Sequence, residues 1–149
     1  MKLILIRHEE RNSNIGFFEN LNDNSVIVHV KLYGFKKNAI HAMHIHEAGD
    51  LRVGCTSCCA HYNPTNTSHS GLDGGHAGDL GNIETNAYGT CIMTLKTDKF
   101  CVDDIVGRSI IIHEDEDDLG LGLYNDSQTT GHSGNRIACS VIGISKENT

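Results

Sequence analysis

The chain contains no tryptophan, a single proline and no long apolar run. Its apolar stretches fall far short of the roughly 20 residues that cross a bilayer as a helix, so no membrane span is expected. Met1 to His8 holds only four consecutive apolar residues after Lys2 and no small-residue cleavage site. A secretory leader needs an apolar core of about 7–15 residues, so the protein is expected to stay in the cytoplasm. Basic residues are also short, with 12 Lys and Arg against 19 Asp and Glu and a net charge of −7. That balance argues against nucleic acid and against an anionic lipid surface as partners. No internal repeat, no linker and no sustained 3.6-residue apolar period is present, so long helices are not expected.

What remains is the composition of a β-rich globular domain. The 149 residues are 38% hydrophobic and 21% charged, enough for one domain over 1–149 with a core of its own. Sixteen glycines suit many tight turns between short strands. Apolar or alternating runs predict strands over Lys2–His8, Ile15–Phe18, Ser25–Tyr33, Ile40–His46, Gly89–Leu95, Ser109–His113 and Ile137–Ile144. Val26, Val28, Val30 and Leu32 share one face of the third run. Such a series predicts an all-β sandwich or barrel of about eight strands. Two stretches, Glu47–Ile83 and Glu114–Arg136, read as long polar loops, and loops of that length in a compact domain usually carry function.

Histidine is the outlier. Ten are present, and most lie between His29 and His76. Imidazoles crowded into an acidic chain point to transition-metal ligation. In a strand, residues two apart face the same way, so His44 and His46 project together while Ile45 turns away. His61, His69, His76 and Asp79 fall within one glycine-rich loop, three imidazoles and a carboxylate that suit tetrahedral Zn(II). His113 ends the apolar run Ile110–Ile112 and delivers an imidazole toward the second loop.

Taken in order, these positions resemble the copper/zinc superoxide dismutase family over essentially the whole chain. The matching segments are His44-Ile45-His46-Glu47 with Gly49-Asp50, Gly54-Cys55-Thr56-Ser57 leading to His61-Tyr62-Asn63-Pro64, and Gly75-His76-Ala77-Gly78-Asp79. They continue with Val106-Gly107-Arg108-Ser109 through His113-Glu114, Asp117-Asp118-Leu119-Gly120, and Gly131 to Cys139 around Arg136. The resemblance implies an eight-stranded Greek-key, immunoglobulin-like barrel or sandwich. It implies one copper ion per subunit on His44, His46, His61 and His113, and one zinc ion on His61, His69, His76 and Asp79. His61 would then bridge the two metals. Asp117 would link His44 to His69, Arg136 would dock the superoxide anion, and Cys55 and Cys139 would form a disulfide. The expected activity is conversion of superoxide to dioxygen and hydrogen peroxide, with His61 accepting and returning a proton. A homodimer is expected, with a copper chaperone as a partner that maturation can do without. The rival is a non-enzymatic copper/zinc buffer or chaperone-like module on the same fold.

The chain departs from the family in places. Where members commonly carry two lysines near the copper, Asp115 and Thr129 stand here, and residues 114–135 contain no lysine or arginine. Weaker attraction of superoxide is therefore expected. The spacing of His69 and His76 is two residues shorter than in many relatives. Cys58 and Cys59 are extra, and mispairing with Cys139 is their main hazard. An independent metal site is not expected from Cys58, Cys59, Cys91 and Cys101. His41 is expected to be structural and His132 a bystander near the site mouth, while His8 and His29 have no evident task. The many Asn and Ile residues fit an AT-rich coding genome, such as that of a protist or a large DNA virus, whose host cytoplasm would then be the compartment.

Overall fold

The structure is a computed structural model that describes residues 2–8 and 11–146, with side chains from residue 13 onward. Nine strands run in chain order: β1 (Lys2–His8), β2 (Arg11–Asn20), β3 (Ser25–Leu32), β4 (Ile40–His46), β5 (Arg52–Cys55), β6 (Asp79–Glu84), β7 (Cys91–Thr97), β8 (Ser109–His113) and β9 (Arg136–Val141). Eight of them form two four-stranded antiparallel sheets, β1-β2-β3-β7 and β6-β4-β8-β9. The chain passes between sheets after β3, β6 and β7, the Greek-key crossing expected of the sandwich. No described helix is long and apolar enough to cross a membrane.

Alternation in the strands builds the core. Val26, Val28, Val30 and Leu32 are all buried, joined by Ile15 and Phe17 of the neighbouring strand. The facing sheet contributes Met43, Ile45, Ile110 and Ile112. With few aromatics available, β-branched residues fill the space, and Phe17 meets Phe100 edge-on at 6.3 Å.

Several boundaries differ from the sequence reading. The short segment Ile15–Phe18 lies inside a ten-residue strand, Arg11–Asn20. The first long loop ends at Gly78 and not at Ile83, because Asp79–Glu84 forms β6 on the edge of β4. Its sequence, Asp-Leu-Gly-Asn-Ile-Glu, has a turn-like composition, and only the pairing with β4 makes it a strand. The same loop holds β5 and a 3-10 turn at Thr56–Cys58. Two single-turn helices, α1 (Val102–Ile105) and α2 (Ser127–Thr130), sit in connections.

Candidate metal centre

Strand β4 has two occupied faces. Met43 and Ile45 enter the core, while His44 and His46 lie buried on the opposite side, beneath the two long loops. Register shifts occur between Ala42 and His44 in the β4–β6 pair and between Ile112 and His113 in the β8–β9 pair. Bulges of this kind re-aim side chains beside functional sites, and here each adjoins a histidine of the cluster. The segment around His61 runs beside the end of β4, with Glu47 N–H donating to Ala60 O (2.9 Å) and Tyr62 N–H to Ile45 O (2.8 Å). That pairing sets His61 opposite His46.

The imidazoles form two groups that share one ring. His44 Nδ1, His46 Nε2, His61 Nε2 and His113 Nε2 are buried and have no hydrogen-bond partner. One ligand atom from each of these four residues lies within 4.8 Å of those of the other three. On the other side of His61, Nδ1 lies 3.0 Å from Asp79 Oδ1 and 3.1 Å from His76 Nδ1. His69 Nδ1 is 2.9 Å from Asp79 Oδ2, and His76 Nδ1 is 3.3 Å from Asp79 Oδ1. The carboxylate of Asp79 is thus where the second group converges. His44 also comes within reach of His61, His69 and Asp79, although the sequence reading places it only in the first group.

Buried nitrogens without partners are costly unless something binds them. Four imidazoles suit copper, and three imidazoles with a carboxylate suit zinc; in the second group the ligand atoms that lie within 4.8 Å of one another are those of His44, His61, His69 and Asp79, with His76 outside that set. The remaining ring nitrogens are tied down. His44 Nε2–H donates to Asp117 Oδ2 (2.6 Å) and His69 Nε2–H to Asp117 Oδ1 (2.7 Å). His46 Nδ1–H donates to Cys59 O (2.8 Å) and His113 Nδ1–H to Gly134 O (3.3 Å). A carbonyl only accepts, so the bonds from His46 and His113 fix their tautomers and leave the inward nitrogen with a free lone pair. Asp117 is itself held by Asn82, whose Oδ1 accepts from the Asp117 N–H at 2.7 Å and whose Nδ2 donates to the Asp117 carbonyl at 3.0 Å. Gly131 has φ +69° and no room for a side chain, since a Cβ there would lie 2.0 Å from Asp117 Oδ1.

The electrostatics follow from this burial. Loss of solvation pushes His44 down to about 3, His46 to about 2 and His113 to about 4, so all three stay neutral and able to ligate. His61 is lowered by burial as well. His69 is the exception: burial opposes its charge, but Asp117 and Asp79 together raise it to about 9. Burial works against the charge on Asp79 too, yet bonds from His61, His69 and His76 hold it far below the ordinary carboxylate range.

One cavity of about 450 Å³ opens onto the first group, lined by His46, His61, His113, Asp126, Thr129, Thr130 and Arg136 among others. Arg136 reaches it from the start of β9. Its guanidinium donates from Nη1 to Cys55 O (2.8 Å) and from Nη2 to Cys59 O (2.6 Å). Cys55 and Cys139 form the expected disulfide, while Cys58, Cys59, Cys91 and Cys101 are free thiols. His41 Nδ1 lies 2.8 Å from His113 O and 3.0 Å from Glu114 O, which is a structural post behind a ligand. His132 pairs with Asp126 at 2.7 Å and stacks on Tyr124 at the rim. His29 meets Phe18 edge-on and Thr94.

The sequence reading had no signal for Cys59, whose role lies in its backbone. Its carbonyl accepts from both His46 and Arg136, and its main chain sits at φ 65°, ψ −146°, a conformation that costs a side-chain-bearing residue about 1–3 kcal/mol. Cys59→Gly is therefore expected to stabilise the protein by about 1 kcal/mol, after allowing for the freer unfolded chain. Urea unfolding checks this, and a destabilised variant would contradict it.

Two adjoining groups of side chains that could each hold a metal ion, meeting at His44 and His61, lie on the outer face of a Greek-key sandwich. The family described as "Copper/zinc superoxide dismutase (SODC)" matches residues 12–142, and the chain belongs to it. Relatives include the extracellular superoxide dismutase [Cu-Zn] of Drosophila melanogaster, 46% identical over 136 residues, with 88% of this chain and 75% of the relative covered. The superoxide dismutase [Cu-Zn] of Paramecium bursaria Chlorella virus 1 is 47% identical over 130 residues, covering 83% and 68%. The human copper chaperone for superoxide dismutase is 44% identical over 108 residues, covering 71% of this chain but 39% of its own length. Among solved structures, that of the clock protein EA4 superposes with a TM-score of 0.90 at 33% identity, covering 97% of this chain and 94% of the other.

Proposed function

We propose that this chain is a superoxide dismutase, with copper on His44, His46, His61 and His113 and zinc on His61, His69, His76 and Asp79, one of each per subunit. The observation that carries this reading is the two-sided His61 ring, with Nε2 in one ligand group and Nδ1 in the other. Copper, when bound, supplies the one-electron redox change that dismutation needs, and zinc, which has no redox chemistry, holds its side of the bridge.

The chain's own residues do the rest. Arg136 offers a fixed cationic fork beside His46, His61 and His113, suited to a small oxyanion. His44, His46 and His113 cannot take up a proton at their tied nitrogens, which already carry one. His61 Nδ1 faces Asp79 Oδ1 at 3.0 Å on the zinc side, so the ring stays held while its Nε2 accepts a proton and returns it to the reduced product. Burial opposes a positive charge on that ring.

The buffer or chaperone-like reading shares the ligands but needs neither a proton carrier nor an anion dock. Direct measurement of superoxide decay by absorbance separates the two, using protein loaded with stoichiometric copper and zinc beside metal-free and His61→Ala samples. Fast removal that needs metal and is impaired in the variant is expected. Decay no faster than the spontaneous reaction at full occupancy would favour the rival.

Asp126 lines the cavity and Arg136 is the one lysine or arginine there among the described residues, so the mouth offers superoxide little attraction. The rate is accordingly expected to stay flat or rise as salt increases from about 0.01 to 0.15 M. A steep fall would show a net positive guiding field. The same reading takes residues 1–149 as one domain of a cytoplasmic homodimer whose copper delivery does not depend on a chaperone. Four free thiols fit a reducing compartment. Exposed Leu51 and Val53 at β5, beside Ile137 and Val141 of β9, supply apolar surface for a second copy.

A further inference from the structure

Lys99, in the connection between β7 and α1, is half-buried and points its ammonium into the loop that carries the zinc-side residues. Its Nζ donates toward four backbone carbonyls: Gly71 O at 3.3 Å, Gly74 O at 2.9 Å, His76 O at 3.0 Å and Asp79 O at 2.5 Å. Three ammonium hydrogens are shared among four acceptors, so the lysine acts as a cation inside a cage of carbonyls. Two of those carbonyls belong to His76 and Asp79 themselves, and the other two to the glycine turn between His69 and His76.

Other contacts order part of that turn: Ser70 N–H donates to Asp79 Oδ2 (3.2 Å), Thr67 Oγ1–H to Gly75 O (2.8 Å) and Gly74 N–H to Gly71 O (3.2 Å), and Leu72 packs on the core. Residues 62–78 contain no helix or strand, and Gly71, Gly74 and Gly75 bring no side chain to pack. Glycine-rich backbone loses the most freedom on ordering, and its carbonyls need partners once they are turned away from water. Burial lowers the Lys99 pKa, while the Asp79, Asp73 and Asp98 carboxylates favour its charged form.

We propose that Lys99 is a positioning residue for the zinc-side ligands, holding His76 and Asp79 at the separation a metal requires by gathering the carbonyls of their loop. The proposal rests on the reading of His61, His69, His76 and Asp79 as a zinc site, and it assigns to a side chain remote in sequence a part of the affinity of that site.

The test uses the full-length protein, with Lys99→Met to keep the length and remove the charge, and Lys99→Gln to keep a single hydrogen-bonding group. Zinc affinity is measured by chelator competition, the visible spectrum of Co(II) placed in the zinc-side ligands is recorded, and melting is followed with and without zinc. Lys99→Met is expected to weaken zinc binding about tenfold or more, the scale found for groups that orient metal ligands. It should also alter the cobalt bands and shrink the rise in melting temperature on adding zinc. Lys99→Gln should fall between, and serves if the methionine variant does not fold. Unchanged affinity and cobalt bands, with equal loss of stability in zinc-free and zinc-loaded protein, would reduce Lys99 to a packing role and overturn the proposal. A wild-type protein that takes up no zinc would overturn the metal reading itself, and this proposal with it.

Discussion

Asp117→Asn is expected to lower zinc affinity by about 10- to 100-fold, the cost typical of losing a carboxylate that orients metal-bound histidines. Asp117 is buried and uses one oxygen for each ring, Oδ2 for His44 and Oδ1 for His69. An asparagine keeps one accepting oxygen and presents an NH₂ where the other was. One imidazole then faces a donor, and that ring must turn or change tautomer, which moves the proton onto its ligand nitrogen. Because His44 belongs to the copper-side group and His69 to the zinc-side group, both should suffer, with zinc affected more. Asp117 Oδ1 also accepts from the Leu119 N–H at 2.8 Å, so the loop after it should loosen. Chelator competition for each metal provides the measurement. An affinity within a factor of two of wild type would show that the link carries no weight.

Cys139→Ser is expected to destabilise the metal-free protein by about 4–5 kcal/mol. The Cys55–Cys139 bridge spans a sequence separation of 84, and a crosslink of that span restricts the unfolded chain by roughly this amount. Replacing Cys139 is preferable to replacing Cys55, because Cys58 and Cys59 stand close in sequence to Cys55 and could otherwise re-form a bridge to β9. The loss should also reach Arg136, the proposed anion dock. Arg136 and Cys139 lie on the same strand, and the Arg136 guanidinium is held by the carbonyls of Cys55 and Cys59 across the bridge. With the bridge gone, superoxide removal at limiting substrate should fall further than metal content does. Urea unfolding gives the first quantity and superoxide decay per bound copper the second. A stability loss under about 1 kcal/mol would mean that the surrounding loop is held by other contacts.

Much of the candidate site was legible because its residues are side chains at spacings that chemistry constrains. His44 and His46 are two apart on a strand whose bounds the alternation gave correctly, and Ile45 does enter the core. Asp79 and His76 meet as their spacing indicated. The strand ending at His113 was equally plain from its run of isoleucines. What stayed hidden depends on partners far away in sequence. Asp79–Glu84 looks like a turn because Gly81 and Asn82 belong in turns, and only the free edge of β4 makes it a strand. Arg136 is steered by two main-chain oxygens, which no residue pattern records. Lys99 sits outside every motif of the chain, since its acceptors are also backbone atoms. Asp126 was visible as one more acid in an acidic loop, but its place on the cavity wall beside Arg136 was not.

The carbonyl of Cys59 joins two tasks that assays usually treat as separate. It accepts from both His46 and Arg136, so under the proposed roles of those two residues a change that rotates this one peptide plane would weaken metal retention and anion affinity together. What matters at position 59 is thus the path of the main chain, φ 65° and ψ −146°, and not the exposed thiol it carries.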